Sequence, residues 1–176
     1  VPTTVIDGGD HVVVLGNYGG RFKSGGAALD AQYCHVYRFR DGKVVTFHDS
    51  CNVSRGSRMG DLPGGQFVIP REIIRACVDK FVDMAPETIG ETTFCCGGGG
   101  GLLTDDLVEL RVKGALPRMQ ALQTVVDEHG VNYLAAICAI CKSQFTKVLP
   151  YYKHPMDMIG SVHGLVSKAI VLGPKP

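Results

Sequence analysis

The sequence predicts an α/β fold: a mostly parallel sheet with flanking helices, preceded by an antiparallel three-stranded β-meander. Residues 1–47 are rich in β-branched and aromatic side chains, and the dipeptide Asp41-Gly42 is typical of a hairpin turn. After Phe47, short apolar segments alternate with segments of helical periodicity, an order typical of a parallel sheet covered by helices. We therefore expect two domains, a meander over residues 1–47 and a cysteine-rich α/β domain over residues 48–176.

The predicted meander consists of strands over residues 11–15, 31–40 and 43–47. Residues 16–20 include three glycines, which indicates a bulge or an irregular stretch after the first strand. We expect the third strand to serve both domains, as hairpin partner of the second strand and as first strand of the parallel sheet.

The first predicted helix covers about residues 70–84. Pro70 suits its first turn, and apolar side chains follow at helical spacing. These are Ile73, Ile74, Cys77, Val78 and Phe81. A short strand is expected next, over residues 91–94, leading directly into Cys95.

The second predicted helix begins after Thr104, an N-cap residue type, with acidic residues in its first turn. We expect an interruption at Gly114 and Pro117, a continuation to about Glu128 and a stop at Gly130. The remaining predicted elements are strands over residues 131–137 and 156–162 and helices over residues 140–149 and 163–171.

Composition narrows the class of protein. The chain has 176 residues, 45% of them hydrophobic, with a net charge of +1 and no basic run, so no nucleic-acid partner is expected. The longest apolar run, residues 134–141, is far shorter than the ~20 residues of a membrane helix, and no signal peptide is visible. We expect a cytoplasmic protein without a direct membrane span, in which any membrane association goes through partner subunits.

The chain has 7 cysteines, and an odd number without an export signal argues against a disulfide framework. Five of them follow predicted strands: Cys51, Cys95, Cys96, Cys138 and Cys141. Because the carboxyl ends of parallel strands meet at one edge of a sheet, we expect these thiols to converge there. The last two also lie at the start of a predicted helix, whose dipole stabilises thiolates.

Three kinds of site compete for these thiols. A structural zinc takes four ligands, usually from two CxxC-like pairs, which neither the number nor the spacing matches. A thioredoxin-like dithiol would use only Cys138 and Cys141. An iron–sulfur cluster, which takes several thiolates and backbone hydrogen bonds to sulfur, fits best. A non-catalytic zinc or interaction module remains the alternative.

Three cysteine segments, residues 48–60, 94–101 and 137–145, resemble the CCG domain of heterodisulfide reductases. The chain from about 44 to 172 is similar to the C-terminal part of the heterodisulfide-reductase-like electron-transfer subunit associated with dissimilatory sulfite reductase. This resemblance implies an oxidoreductase module that reduces a disulfide or trisulfide at a noncubane [4Fe–4S] cluster. It implies five cluster ligands: Cys51, Cys95, Cys96, Cys138 and Cys141.

The resemblance also implies partners. The substrate would be a sulfur-carrier protein or a small disulfide, and the electron donor a subunit with ferredoxin-type clusters or haem. The related subunit carries ferredoxin-type cysteine runs upstream, whereas no C-x-x-C-x-x-C run occurs here, so electrons would come from another chain. Both gaps between the cysteine segments are longer than in many members, and Ser50 stands where many carry proline.

Residues 9–16 and 35–44 resemble the last strands of an NTF2-like (SnoaL-type) fold, so residues 1–47 look like a fragment of it. The helices and first strands of that fold are missing, and no activity is carried over from it. Because the ferredoxin-type electron input is absent, a vestigial or chimeric chain that folds without activity is the third hypothesis, beside the oxidoreductase and the zinc or interaction module.

Several other residues are candidates for a role. His48, three residues before Cys51, is a candidate catalytic residue, as a proton donor to a leaving thiolate or a neighbour of the ligands; a hydrogen bond in the turn with Asp49 is equally expected. Cys34 and Cys77 are expected to be buried core residues. The cations flanking the cysteine segments either screen the cluster or are ordinary solvated charges: Arg55, Arg58 and Lys142.

Overall fold

The computed structural model describes residues 2–7, 11–21, 25–26, 28–38, 43–57 and 65–169. The chain divides into two compact units. One consists of Val1–Arg40 with Ser167–Pro176, and the other of Asp41–Val166. The predicted Asp41-Gly42 turn lies outside the described residues.

The first unit contains an antiparallel sheet in the order β1-β2-β3. Its strands are β1 (Pro2–Asp7), β2 (His11–Arg21) and β3 (Ala28–Arg38). The three-stranded meander is therefore confirmed, but with different strands, because β1 was not predicted. The predicted irregularity at residues 16–20 is wrong in position: β2 runs through its glycines, and the register shift lies in β1, between Pro2 and Thr4.

The second unit is built on a parallel sheet in the order β5-β4-β6-β7. Its strands are β4 (Val44–His48), β5 (Lys80–Phe81), β6 (Tyr133–Ala136) and β7 (Ile159–Ser161). The predicted parallel sheet with flanking helices is confirmed. The expected pairing of residues 43–47 with the meander is wrong, since β4 pairs with β5 and β6. Its residues Val45, Thr46 and Phe47 are fully buried, as in a central strand covered on both faces.

Four helices flank this sheet: α1 (Ile69–Cys77), α2 (Val108–His129), α3 (Ala139–Val148) and α4 (Val162–Ala169). The predicted first helix is too long, because Val78 is already extended and leads into the unpredicted β5. The predicted interruption of α2 is wrong. Pro117 lies on the exposed face of α2, where water can bind the carbonyl that proline leaves without a donor. Gly130, at φ 70°, ends α2 as predicted.

The predicted strand over residues 91–94 is also wrong. Gly90–Thr92 form a 3-10 turn, and the chain then runs extended without a strand partner to the two cysteines. The hydroxyl of Thr93 donates to the backbone carbonyl of Asp49 (3.0 Å) and fixes this segment beside the end of β4. Cys95 and Cys96 therefore lie on a loop.

The two faces of the sheet bury different clusters. The α2/α3 side includes Leu134 and Ala136 of β6 with side chains of α2 and α3, such as Leu122 and Phe145. The α1/α4 side includes side chains of β4, β6, α1 and α4. Its buried members are Val45, Phe47, Ile74, Tyr133, Ala135, Val162 and Leu165. Alternate residues of β6 thus face opposite sides, which fixes a layer of helices on each face. In the described part of the chain, no helix has the length and apolar character needed to cross a membrane.

Candidate metal centre

The candidate site lies at the carboxyl ends of β4 and β6. Cys51 begins a π-helical turn, Cys51–Gly56, whose start is capped by the Ser50 hydroxyl accepting from the Val53 N–H (3.1 Å). Cys138 is the N-cap residue of α3 and Cys141 lies in its first turn. Two of the three segments therefore follow strands, as predicted, and the third is the loop with Cys95 and Cys96.

The structure brings the five predicted cysteines together. Side-chain interactions link Cys51 to Cys95, Cys95 to Cys96, Cys96 to Cys141 and Cys141 to Cys138. Cys96, Cys138 and Cys141 are buried, whereas Cys51 is half-buried and Cys95 is exposed. The set is therefore closed on one side and open to solvent on the other.

The glycines after Cys96 permit close approach. Gly97 has φ +86°, and a Cβ there would overlap the carbonyl oxygen of Arg111 and lie 2.9 Å from the nitrogen of Ala115. A Cβ on Gly98 would lie 3.3 Å from the sulfur of Cys96. The Gly97 N–H also points at the sulfur of Cys95 (3.3 Å). The glycine run thus seats the loop against α2 and supplies a backbone hydrogen bond to sulfur.

Crowding keeps most of these thiols protonated. A hydrogen bond to Cys141 and burial raise the pKa of Cys96 to about 12. The hydrogen bond to Cys96, followed by burial, raises the pKa of Cys95, and burial with the charge of Cys95 raises the pKa of Cys51. Several thiolates this close repel one another, so cations are needed before the whole set can ionise.

Cys138 differs from its neighbours. Burial raises its pKa, but the backbone N–H of Cys141, the Ser50 hydroxyl and the backbone N–H of Ile140 more than offset this, and the net pKa is lowered. The donors at the start of α3 act as the helix-dipole argument predicts. Among the thiols of this set, Cys138 therefore has a thiolate form that its surroundings stabilise.

His48 faces the same cluster of thiols. It is fully buried, and one of its ring nitrogens lies within 4.8 Å of the sulfurs of Cys96 and Cys141. Burial and the charge of Arg118 hold its pKa well below 6.5, so the ring is neutral at pH 7. Neither ring nitrogen has a hydrogen-bond partner in the described structure, so the expected bond with Asp49 is absent.

Buried arginines were missed by the sequence reasoning. Arg111 (4% exposed) donates to Gln144 (2.9 Å) and to the carbonyl of Thr104 (2.8 Å), and Arg118 is fully buried. Both lie on the core-facing stripe of α2 with Ala115 and Leu122. That helical spacing is the signal that could have revealed them.

The remaining candidates lie elsewhere. Cys34 is exposed on β3, so its predicted burial is wrong. Cys77 is half-buried and packs against the α1/α4 side, and burial raises its pKa to about 11. Arg55 is exposed and donates to the carbonyl of Glu91 (2.8 Å), Lys142 is half-buried, and Arg58 lies outside the described residues.

Two archaeal proteins match this chain. It is 41% identical over 154 residues to "Hdr-like menaquinol oxidoreductase iron-sulfur subunit 2" of Archaeoglobus fulgidus, a match covering 85% of this chain and 26% of that subunit. It is 43% identical over 135 residues to "Hdr-like menaquinol oxidoreductase iron-sulfur subunit" of Archaeoglobus profundus, covering 75% and 23%. The chain is similar to Hdr-like iron–sulfur subunits.

This similarity supports the predicted heterodisulfide-reductase-like family. The chain spans about a quarter of the length of the relatives it matches. No family model matches it, and neither does any solved structure, so nothing supports the NTF2-like resemblance, and the CCG domain stays a prediction.

Proposed function

We propose that this chain is an iron–sulfur oxidoreductase module whose cluster is held by Cys51, Cys95, Cys96, Cys138 and Cys141. The observation that carries the proposal is the linked set of five thiols, brought by three separate segments to one edge of a parallel sheet. The relatives, both named iron–sulfur subunits, support the same cofactor.

The residues fit such a cofactor. Five sulfur donors exceed the four that an ordinary [4Fe–4S] cluster takes, which favours the noncubane type. The sulfur donors are soft ligands suited to iron, and Gly98 leaves no Cβ beside the sulfur of Cys96. When bound, the cluster would supply one-electron redox chemistry at iron.

The chain's own residues would have distinct roles around this group. Cys138, with its lowered pKa, supplies the first thiolate, and the Ser50 hydroxyl and the α3 backbone N–H groups hold its charge. The Gly97 N–H stabilises charge on the sulfur of Cys95. His48 stands beside Cys96 and Cys141 as a neutral imidazole, available to donate a hydrogen bond to sulfur or to a substrate group.

The proposed substrate is a disulfide or trisulfide, carried by a small molecule or by a sulfur-carrier protein. It would approach from the side of Cys51 and Cys95, the two ligands that reach solvent. Electrons would come from a subunit with ferredoxin-type clusters or haem. We propose a cytoplasmic chain that reaches the membrane through partner subunits, and the word menaquinol in the relatives' names supports the membrane association.

One observation favours the alternative of a zinc module. His48, Cys96 and Cys141 form a buried group of ligand atoms within 4.8 Å of one another, which a fourth donor would complete as a zinc site. That site would leave at least two of the remaining cysteines of the set without a ligand role. It therefore explains less of the arrangement than an iron–sulfur cluster does.

Substitution of the ligands tests the assignment. We expect anaerobically purified Cys95→Ser and Cys138→Ser proteins to lose the visible absorbance of the cluster, while Cys34→Ser and Cys77→Ser keep it. Each of the four substitutions removes one thiol, so a difference in absorbance between them depends on where that thiol lies in the fold. Equal absorbance in all four proteins would contradict the assignment.

Turnover separates an active module from a chimeric chain without activity. The loaded protein receives a reduced dye, with a small disulfide or a protein trisulfide as acceptor. We expect dye oxidation that depends on the acceptor. An intact cluster without turnover on either acceptor would favour the inactive chimera.

A further inference from the structure

The guanidinium of Arg118 is a fully buried cation that no carboxylate contacts in the described structure. Its hydrogen-bond partners are all uncharged. They are Met84 Sδ (2.7 Å), the carbonyl of Thr88, Thr93 Oγ1 (2.9 Å) and the carbonyl of Phe94 (3.5 Å). A buried charge without a counter-charge is costly, so its presence in a core needs a reason.

Asp49 is the acid whose charge acts on Arg118, but it is already engaged. Its two carboxylate oxygens accept from Arg71 at 2.8 and 2.7 Å, and one also accepts from the Gly90 N–H (2.8 Å). Arg71 in turn repels Arg118. Asp83, the second acid bound to Arg71, offsets part of this repulsion. In the described structure neither Asp49 nor Asp83 contacts the Arg118 guanidinium, so its charge is only partly compensated.

The other charges that act on Arg118 belong to the candidate metal centre. Ionised Cys96 and Cys141 would both stabilise the guanidinium. Burial lowers its pKa to about 10, so Arg118 stays cationic at neutral pH. Its partners Thr93 and Phe94 are the two residues just before Cys95, and its guanidinium lies 5.8 Å from the ring centre of Phe94.

We propose that Arg118 is the buried counter-charge of the metal centre and the residue that positions the Cys95-Cys96 loop beneath it. This rests on the proposed function, because five thiolates around iron supply the negative charge that Arg118 lacks. Arg118 does not reach substrate and is a positioning residue. A fixed positive charge stabilises the more negative, reduced form of a neighbouring redox group, so Arg118 raises the reduction potential.

The test measures the reduction potential and the electron paramagnetic resonance spectrum of loaded full-length variants. Arg118→Gln removes the charge and keeps donors for the loop carbonyls, and Arg118→Lys keeps the charge. Lys113→Gln removes a cation from the exposed face of the same helix and serves as control. We expect Arg118→Gln to shift the reduction equilibrium about tenfold toward the oxidised form, which is about 59 mV for one electron. Arg118→Lys and Lys113→Gln should stay near the wild-type value.

Each outcome decides the matter. Equal potentials in all variants at full loading would overturn the counter-charge role. If Arg118→Gln does not fold, Arg118→Met replaces it, because an apolar side chain removes the charge and fills the same buried space. A lowered potential in Arg118→Met supports the role, and a wild-type potential overturns it. Wild-type protein that binds no iron would instead refute the proposed function, and the counter-charge with it. If only the counter-charge role is wrong, the wild-type protein still binds its full complement of iron, so the iron content distinguishes the two failures.

Discussion

The two sides of the parallel sheet bury charge in different ways. On the α1/α4 side, Arg71 lies over the ring of Phe47 (5.1 Å) and is paired with Asp49 and Asp83. On the α2/α3 side, the hydrogen-bond partners of Arg118 are all uncharged, and in the described structure neither ring nitrogen of His48 has a hydrogen-bond partner. The hydrogen bond from Cys141 raises the pKa of Cys96 on the same side. The first side is complete as a core. The proposed iron–sulfur cluster would complete the second, because its iron would bind the thiols as thiolates and their negative charge would act on Arg118.

The largest expected effect comes from removing the buried ion pair on the α1/α4 side. Asp49→Ala removes the buried partner of Arg71 and the acceptor of the Gly90 N–H, and leaves the buried Arg71 guanidinium with only the partly exposed Asp83. We expect a loss of about 3–5 kcal/mol in the free energy of unfolding, measured by urea denaturation. Glu72→Ala is the control, since its ion pair with Arg75 is exposed and contributes about 0–1 kcal/mol. Equal losses would show that burial of the pair does not matter.

The second effect concerns the loop on the α2/α3 side. Gly97 and Gly100 both have positive φ, but only a Cβ at Gly97 meets the backbone of α2. We expect Gly97→Ala to lower the free energy of unfolding by about 2–4 kcal/mol, because left-handed strain and overlap with α2 act together. The same substitution should impair cluster loading. Gly100→Ala carries the strain alone, about 1–2 kcal/mol. A Gly100 variant as damaged as the Gly97 variant would contradict the close approach to α2.

The third effect is a pH dependence of the metal-free protein. Since the pKa of His48 is lower in the folded state than the unfolded value of about 6.5, the folded state binds fewer protons. His48 therefore stabilises the folded state above pH 6.5, and this contribution is lost as the pH falls toward the pKa that His48 has in the folded protein. We expect the unfolding free energy to drop between pH 7.5 and pH 5, and His48→Gln to reduce the drop. His154→Gln is the companion variant, because burial lowers the pKa of His154 as well. An unchanged slope in both variants would show that these histidines do not carry the dependence.

The smallest effects lie outside the metal centre. Cys77→Ser places a hydroxyl against the α1/α4 side and should cost on the order of 1 kcal/mol. Cys34→Ser, at an exposed position, should stay within about 0.5 kcal/mol. Thermal unfolding of the two variants checks this order. A larger loss at Cys34 would show that β3 buries this face in solution.

The sequence allowed prediction of those parts of the site that follow the buried strands of the parallel sheet. Cys51 and Cys138 follow β4 and β6, whose buried residues mark them as central strands. β5 could not be predicted, because its two residues, Lys80 and Phe81, form a strand only by pairing with Val44 and Val45. Pairing across the chain, not local propensity, decides such a strand.

The features that the sequence analysis predicted wrongly or overlooked also depend on contacts between distant parts of the chain. Residues 91–94 have strand-like composition, but Thr93 is held by the carbonyl of Asp49 and by Arg118 instead of by a ladder. Arg118 itself was missed because periodicity arguments assign arginine to solvent. Cys34 alternates with its neighbours on β3, and alternation alone does not say which face is buried.

The central claim is that one iron–sulfur cluster completes the α2/α3 side of the sheet. Iron, acid-labile sulfide and zinc, measured per chain after anaerobic purification, test it most directly. The account predicts about four irons with matching sulfide and no zinc. One zinc per chain without iron or sulfide would contradict it.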